Sequence, residues 1–143
     1  MKTLRTIIII ITVALSFCTC TKDADGDADM YVGVYSVSVV ENVTWGGSSG
    51  TLTDNGTITI TKLSSNQVKV TGYFSTTGRV SGSTINLEGM STSDSSGSIN
   101  TVFGTGIYNG GTITISSTRT GQLKSNGVMY PFTSRDQITA IKK

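Results

Sequence analysis

Histidine is missing from this chain altogether, and with it go the commonest general base and the commonest metal ligand. Proline occurs once, as Pro131, and cysteine twice, as Cys18 and Cys20. Lipidation of either cysteine would leave at most one free thiol. The domain beyond them can then hold no intramolecular disulfide and no cysteine-based metal site. Charge of either sign is scarce too. With Lys2 and Arg5 set aside in the leader, nine basic residues face nine acidic ones, so no basic field favours nucleic acid.

Gly, Ser and Thr are plentiful instead. Such a composition suits disorder, but regularly spaced Ile and Val argue for a small packed core. Gly56-Thr57-Ile58-Thr59-Ile60 returns as Gly111-Thr112-Ile113-Thr114-Ile115, more loosely as Gly82-Ser83-Thr84-Ile85-Asn86-Leu87, and faintly as Ile138-Thr139-Ala140-Ile141. The isoleucines at 58, 85, 113 and 138 are 27, 28 and 25 residues apart, about right for a strand pair with its turns. Alternation of β-branched apolar residues with Thr predicts half-buried strands, the isoleucines inward and the threonines outward.

The N-terminus has its own pattern. Lys2 and Arg5 precede an apolar stretch, Ile7 to Leu15, broken only by Thr12. That stretch falls short of the roughly 20 residues a membrane-spanning helix needs, and it predicts a signal peptide over residues 1–19. Cys18-Thr19-Cys20 at its end resembles a bacterial lipobox, which implies a lipidated cysteine as the first residue of the mature chain. Lipoboxes favour a small residue before that cysteine. Phe17 precedes Cys18 and Thr19 precedes Cys20, so Cys20 is the favoured site and Cys18 the alternative. An ordinary cleaved signal peptide is the plainer reading. Acylation by several chains would attach the protein durably, since one chain binds only marginally.

Residues 20–29 predict an acidic tether in which Asp23, Asp25, Asp27 and Asp29 alternate with small residues. The calcium loop that such spacing suggests needs Gly at its sixth position and Glu at its twelfth; counting from Asp23, Ala28 and Val34 stand there. Acidic residues after a lipidated cysteine also resemble the export signal of surface-displayed lipoproteins in some Gram-negative bacteria. That implies an outer-membrane lipoprotein of the cell envelope, with periplasmic and surface faces both open.

Residues 30–143 predict an all-β domain. Its strands are expected from about Tyr31 to Val39, then near 56–63, 67–74, 79–88, 99–108, 111–119, 127–133 and 136–142. Gly46–Asn55, Met90–Ser98 and Gly121–Asn126 are read as loops, and Asn109-Gly110 as a type I′ hairpin turn. Pro131, which cannot donate to a ladder, belongs at a strand end or bulge. The fold expected is an eight-stranded antiparallel up-and-down meander barrel, with a two-sheet β-sandwich as the alternative. The hairpins, the long first loop and Gly33-Val34-Tyr35 on the first strand resemble the lipocalin-like (calycin-like) barrel of small bacterial lipoproteins. In classical lipocalins the first strand carries Gly-x-Trp and a late Arg packs over the ring. The resemblance implies Tyr35 in the Trp position, Arg135 as the candidate partner, and a precedent for ligand binding. The C-terminal helix and the disulfide of that family have no counterpart here.

Catalytic readings find little footing. Gly46-Gly47-Ser48-Ser49-Gly50 matches G-x-S-x-G, but that motif needs a strand-to-helix elbow and a histidine partner. Glu41, Asp54, Glu88, Asp94 and Asp136 are the carboxylates a glycosidase pair would draw on; no sequence neighbourhood marks two of them as a pair. No catalytic residue, metal or cofactor is therefore expected. Trp45, the one tryptophan, stands at the mouth of the first loop and, with Tyr35, is the candidate ligand contact; capping of the core is the plainer role for Trp45. The remaining aromatics read more simply as core and cross-strand pairs. The expectation is a membrane-anchored, extracytoplasmic, non-enzymatic lipoprotein binding a small apolar ligand or serving as a general binding module. Its competitor is a structural or adhesive surface protein with a solidly packed barrel, whose loops contact protein or glycan partners.

Overall fold

The computed structural model describes residues 27–143, so the signal peptide, both cysteines and the first aspartates of the tether lie outside the described residues. A single turn of helix, α1 (Ala28–Tyr31), leads into ten strands. These are β1 (Gly33–Trp45), β2 (Ser48–Ser64), β3 (Gln67–Gly72), β4 (Thr76–Ser81), β5 (Thr84–Leu87), β6 (Met90–Asp94), β7 (Gly97–Phe103), β8 (Thr105–Asn109), β9 (Thr112–Ser125) and β10 (Val128–Lys142).

All ten strands belong to one antiparallel sheet, in the order β10-β1-β2-β3-β4-β5-β8-β9-β7-β6, rather than to two stacked sheets. Pairing of β9 with β10 closes eight of them into a ring. The meander is interrupted once. β5 pairs with β8, and the hairpin β6–β7 is carried instead on the upper half of β9, from Gly97↔Leu123 to Phe103↔Ser117. The single strand expected over 99–108 therefore breaks at Gly104 into β7 and β8, which lie end to end along β9.

The inner face follows the alternation. Tyr35, Val37, Val39, Ile58, Ile60, Val68, Val70, Ile85, Ile113, Ile115, Ile138 and Ala140 are buried, while the Thr and Ser between them face outward. Each such Ile or Val contributes about 1.5–3 kcal/mol by leaving water. One end of the ring is closed by α1. Ala28 and Tyr31 are fully buried there, Tyr31 packs on Tyr108 with ring centroids 5.1 Å apart, and its hydroxyl donates to the Gly82 carbonyl at 3.1 Å. The packed structure thus includes residues 27–29, ahead of the Met30 expected. Asp27 and Asp29 are not free spacer: a carboxylate oxygen of Asp27 accepts from the Gly82 amide, and Asp29 pairs with Lys62 at 2.7 Å.

All three expected loops are largely strand, and Met90–Ser98 holds β6, a two-residue turn and the start of β7. Gly46–Asn55 is a two-residue turn, Gly46-Gly47, followed by the upper half of β2, in unbroken register with β1 from Trp45↔Ser48 to Gly33↔Ile60. The same holds at Asn126-Gly127, so the strands expected at 127–133 and 136–142 are one strand, β10. Both central residues of these last two turns have positive φ, as type I′ requires, and that turn hands its register to residues of weak strand propensity such as Ser48, Ser49 and Gly50. At the β8–β9 turn the positive φ values fall on Gly110 and Gly111, one residue later than Asn109-Gly110. Pro131 sits inside β10, opposite Gln122, one residue past Phe132↔Trp45, the last pair with β1. The side on which it would have donated is therefore already without a partner.

The upper halves of β2, β1, β10 and β9, with β7 and β6, extend beyond the ring as an open six-stranded overhang at the end opposite α1.

Candidate functional site

Where the ring gives way to the overhang, the inner face changes character. β9 continues Ile113, Ile115 with Ser117 and Arg119; β10 runs down Phe132, Ser134, Asp136, Ile138; β1 follows Val37 and Val39 with Glu41. The register sets Asp136 between Ser117 and Glu41, with Arg119 opposite Ser134. Strand alternation alone thus brings one cation and two anions together on the inner face.

Arg119 joins them. Its Nε donates to Asp136 Oδ2 at 2.9 Å and its Nη2 to Asp136 Oδ1 at 3.3 Å, while Nη2 lies 2.7 Å from Glu41 Oε2. Ser117 donates to Asp136 Oδ2 at 2.9 Å, and Ser134 donates to Oδ1. The guanidinium also lies over the Phe132 ring, 5.7 Å from its centroid. Side-chain exposure is 4% for Asp136, 15% for Glu41 and 26% for Arg119, so the cluster is largely withdrawn from water. Burial alone would lower the Arg119 pKa; the hydrogen bonds and charges of Asp136, and then of Glu41, outweigh it and hold it above the ordinary arginine value. With two carboxylates to one guanidinium, the cluster carries a net negative charge.

Above it lies a cavity of about 250 Å³ lined by Glu41, Arg119 and Asp136 and walled by Tyr73, Phe74, Phe103 and Met90. Phe74 and Phe103 are tilted against each other at 5.3 Å, and Tyr73 meets Phe74 edge-on at 6.4 Å. Tyr73 donates to Asp54 Oδ2 at 2.9 Å; burial, and then this bond, push its hydroxyl up to about 12. The cavity opens onto the inner face of the overhang, where Trp45, Leu52, Leu123, Val128, Tyr130 and Phe132 share one side of the sheet. Phe132 is buried, but Trp45 is 41% and Leu52 58% exposed. Trp45 meets Tyr130 edge-on at 6.1 Å.

The expected site residues separate. Trp45 lies on this uncovered face, at a hairpin tip rather than at a loop mouth. Tyr35 does not line the cavity. It is fully buried toward the closed end, its hydroxyl donates to the Tyr31 carbonyl at 2.7 Å, and burial pushes its pKa to about 12. Arg135 does not cover Tyr35 either. Odd positions of β10 face outward, and the cation over the Tyr35 ring is Lys142, 6.0 Å from its centroid. Gly46-Gly47-Ser48-Ser49-Gly50 forms a hairpin turn and strand, without the strand-to-helix elbow of its hydrolase namesake. Among the described residues no group of three or more Cys, Asp or Glu is placed to hold a metal ion. Reading 127–133 and 136–142 as separate strands hid the Arg119 cluster; one alternation carried through β10 puts Asp136 inward with Phe132 and Ile138. No protein-family model, curated protein or solved structure matches the chain.

Proposed function

We propose that the protein is a lipid-anchored, extracytoplasmic binding module of the cell envelope, non-enzymatic, built on a small calycin-like barrel that meets its ligand at the open end. The observation that carries this reading is the uncovered inner face. The apolar alternation that fills the ring runs on into the overhang, where none of the described residues covers Trp45, Leu52, Val128 and Tyr130.

The ring sets the kind of ligand. Its interior is filled by Tyr31, Tyr35 and the Ile and Val side chains, and the cavity above them is smaller than the roughly 300–1,000 Å³ of pockets that enclose drug-sized ligands. A ligand is therefore gripped at its apolar end by Phe74, Phe103 and Met90 and laid along the overhang, not swallowed. Asp27, the first described residue, lies beside the closed end, so an anchor a few residues before it, at Cys20 or Cys18, would turn the open end away from the membrane.

Trp45 supplies its own reporter as the one tryptophan. Titration with fatty acids, bile acids, haem and glycans should shift its emission and raise the melting temperature for at least one class, and Trp45→Ala should abolish the rise in melting temperature. Silence across all four classes refutes ligand binding. Mass spectrometry of membrane-fractionated protein should find an acylated N-terminal cysteine; a soluble mature chain starting elsewhere refutes the anchor. The filled ring favours a second reading, a structural or adhesive surface protein that contacts a macromolecular partner at the same end.

A further inference from the structure

The upper half of β2 pairs on one side only. Below Thr57 its second neighbour is β3; from Ser48 to Asn55 no described residue pairs on that side, and all eight residues are exposed. Which backbone groups are free follows from two bonds. The Tyr73 amide donates to the Thr57 carbonyl at 2.9 Å, so odd residues of β2 turn their polar groups away from β1. The Lys143 amide donates to the Val34 carbonyl at 2.9 Å, so even residues of β1 serve β10 and odd ones serve β2, which gives the same answer. The N–H and C=O groups of Ser49, Thr51 and Thr53 therefore project from the edge. Further along, the Asn55 amide is taken up at 2.8 Å by Asp54 Oδ1.

Soluble proteins blunt such edges with Lys, Pro, a bulge or a very short strand. β6, at the other end of the sheet, is short. From Ser48 to Thr53 β2 has none of those devices; its one inward charge is Asp54, at the lower end, and its irregularity lies far below, between Lys62 and Ser64. We propose that the edge is kept open to pair with β2 of a second copy of this chain, antiparallel, with Thr51 on the two-fold axis.

That register is self-complementary. Thr51 faces its own copy, and Ser49 faces Thr53, so the outward N–H and C=O groups of all three find partners in a hydrogen-bonded antiparallel ladder. On the inner face Leu52 falls opposite Gly50, which leaves room to cover the exposed leucine. Asp54 falls opposite Ser48, so no like charges meet. A heterologous peptide could use the same backbone groups, but the fit of Leu52 to Gly50 and of Asp54 to Ser48 comes from the chain itself.

The symmetry has a directional consequence, which rests on the anchored, adhesive reading above. Antiparallel strands in one sheet are related by an axis perpendicular to it, so the two closed ends point in opposite directions. Anchored copies would then pair between facing membranes rather than within one.

Thr51→Pro tests the pairing without touching the fold, because the N–H it removes lies outside the β1–β2 ladder. The full chain in detergent should sediment as a monomer–dimer equilibrium. Its amides at Ser49, Thr51 and Thr53 should gain exchange protection as concentration rises, and T51P should weaken the dimer at least tenfold at unchanged melting temperature. Should T51P fail to fold, T51K carries the test: it sets two lysines face to face on the axis and should weaken the dimer in a salt-dependent way. A monomer at every concentration with unprotected amides overturns the proposal, as does a dimer indifferent to both substitutions. Vesicles bearing the acylated chain should clump, and T51P vesicles should not; clumping that survives T51P overturns it equally. Loss of the dimer with Trp45 responses intact would leave the ligand reading standing.

Discussion

Arg119 is the side chain on which the open end depends. Removing it leaves Asp136 and Glu41 close together and largely out of water, with no compensating charge. Breaking a buried pair from one side costs about 3–5 kcal/mol, and partial exposure of Arg119 puts this case toward the lower end. R119A should therefore lose about 3 kcal/mol in urea unfolding. R119A/D136A should be less destabilised than the sum of the single changes, because the second removes the orphaned charge. Tyr31, Tyr35 and Tyr73 make a separate prediction. Burial, first among the causes, raises each hydroxyl from 10 to about 12. The folded state then holds protons that the unfolded state has released, so their stabilisation is complete below pH 10 and disappears as pH rises to about 12. Urea midpoints should fall across that window while absorbance at 295 nm shows late tyrosine ionisation; a flat midpoint refutes it.

Among the elements, the β6–β7 hairpin hangs on a close backbone approach. A Cβ at Gly121 would lie 1.9 Å from the Ser98 carbonyl oxygen, which cannot move without opening the β7–β9 ladder. Gly121→Ala should therefore release β6–β7 from β9, at about 1–3 kcal/mol. Amides of Gly97 to Phe103 should lose exchange protection while those of β3 to β5 keep theirs. If β7 stays protected, the contact is not what holds the hairpin. These elements also mark how far the sequence could be read. Ile58, Ile85, Ile113 and Ile138 gave the all-β class, the strands that carry them and their inner face, because alternation is a local signal. It did not give the overhang. Ser48, Ser49 and Gly50 have weak strand propensity and are extended because a turn and a partner strand hold them so. Nor did it give the β5–β8 pairing, which depends on contacts across the hairpin between them. Asp136 and Arg119 were legible in principle, since each breaks an apolar alternation with a charge; Tyr35 was misplaced because a buried aromatic and a ligand-facing one look alike in sequence.

At the scale of the whole molecule, function is divided between two ends. The closed end spends its aromatic side chains on packing: Tyr31 and Tyr35 hydrogen-bond to backbone and leave no room for a guest. The open end leaves Trp45, Tyr130 and Leu52 without cover. Trimming the closed end, as in Ile85→Val, should thus cost about 0.5–1.5 kcal/mol without altering Trp45 emission, whereas Leu52→Ser should change surface binding with a stability effect of less than about 0.5 kcal/mol. Calorimetry beside fluorescence titration separates the two. β1 connects these ends. It starts against α1, finishes at Trp45, and is laddered to β10 on one side and β2 on the other along nearly its whole length. A pull applied at Asp27 and resisted at the Trp45 tip therefore runs lengthwise along β1. Because β1 is already extended, its covalent backbone carries that load and the hydrogen bonds of the two flanking ladders are spared. Single-molecule stretching between those points should therefore show little lengthening beyond the unwinding of α1, whereas pulling on β6 should peel it from β7 pair by pair.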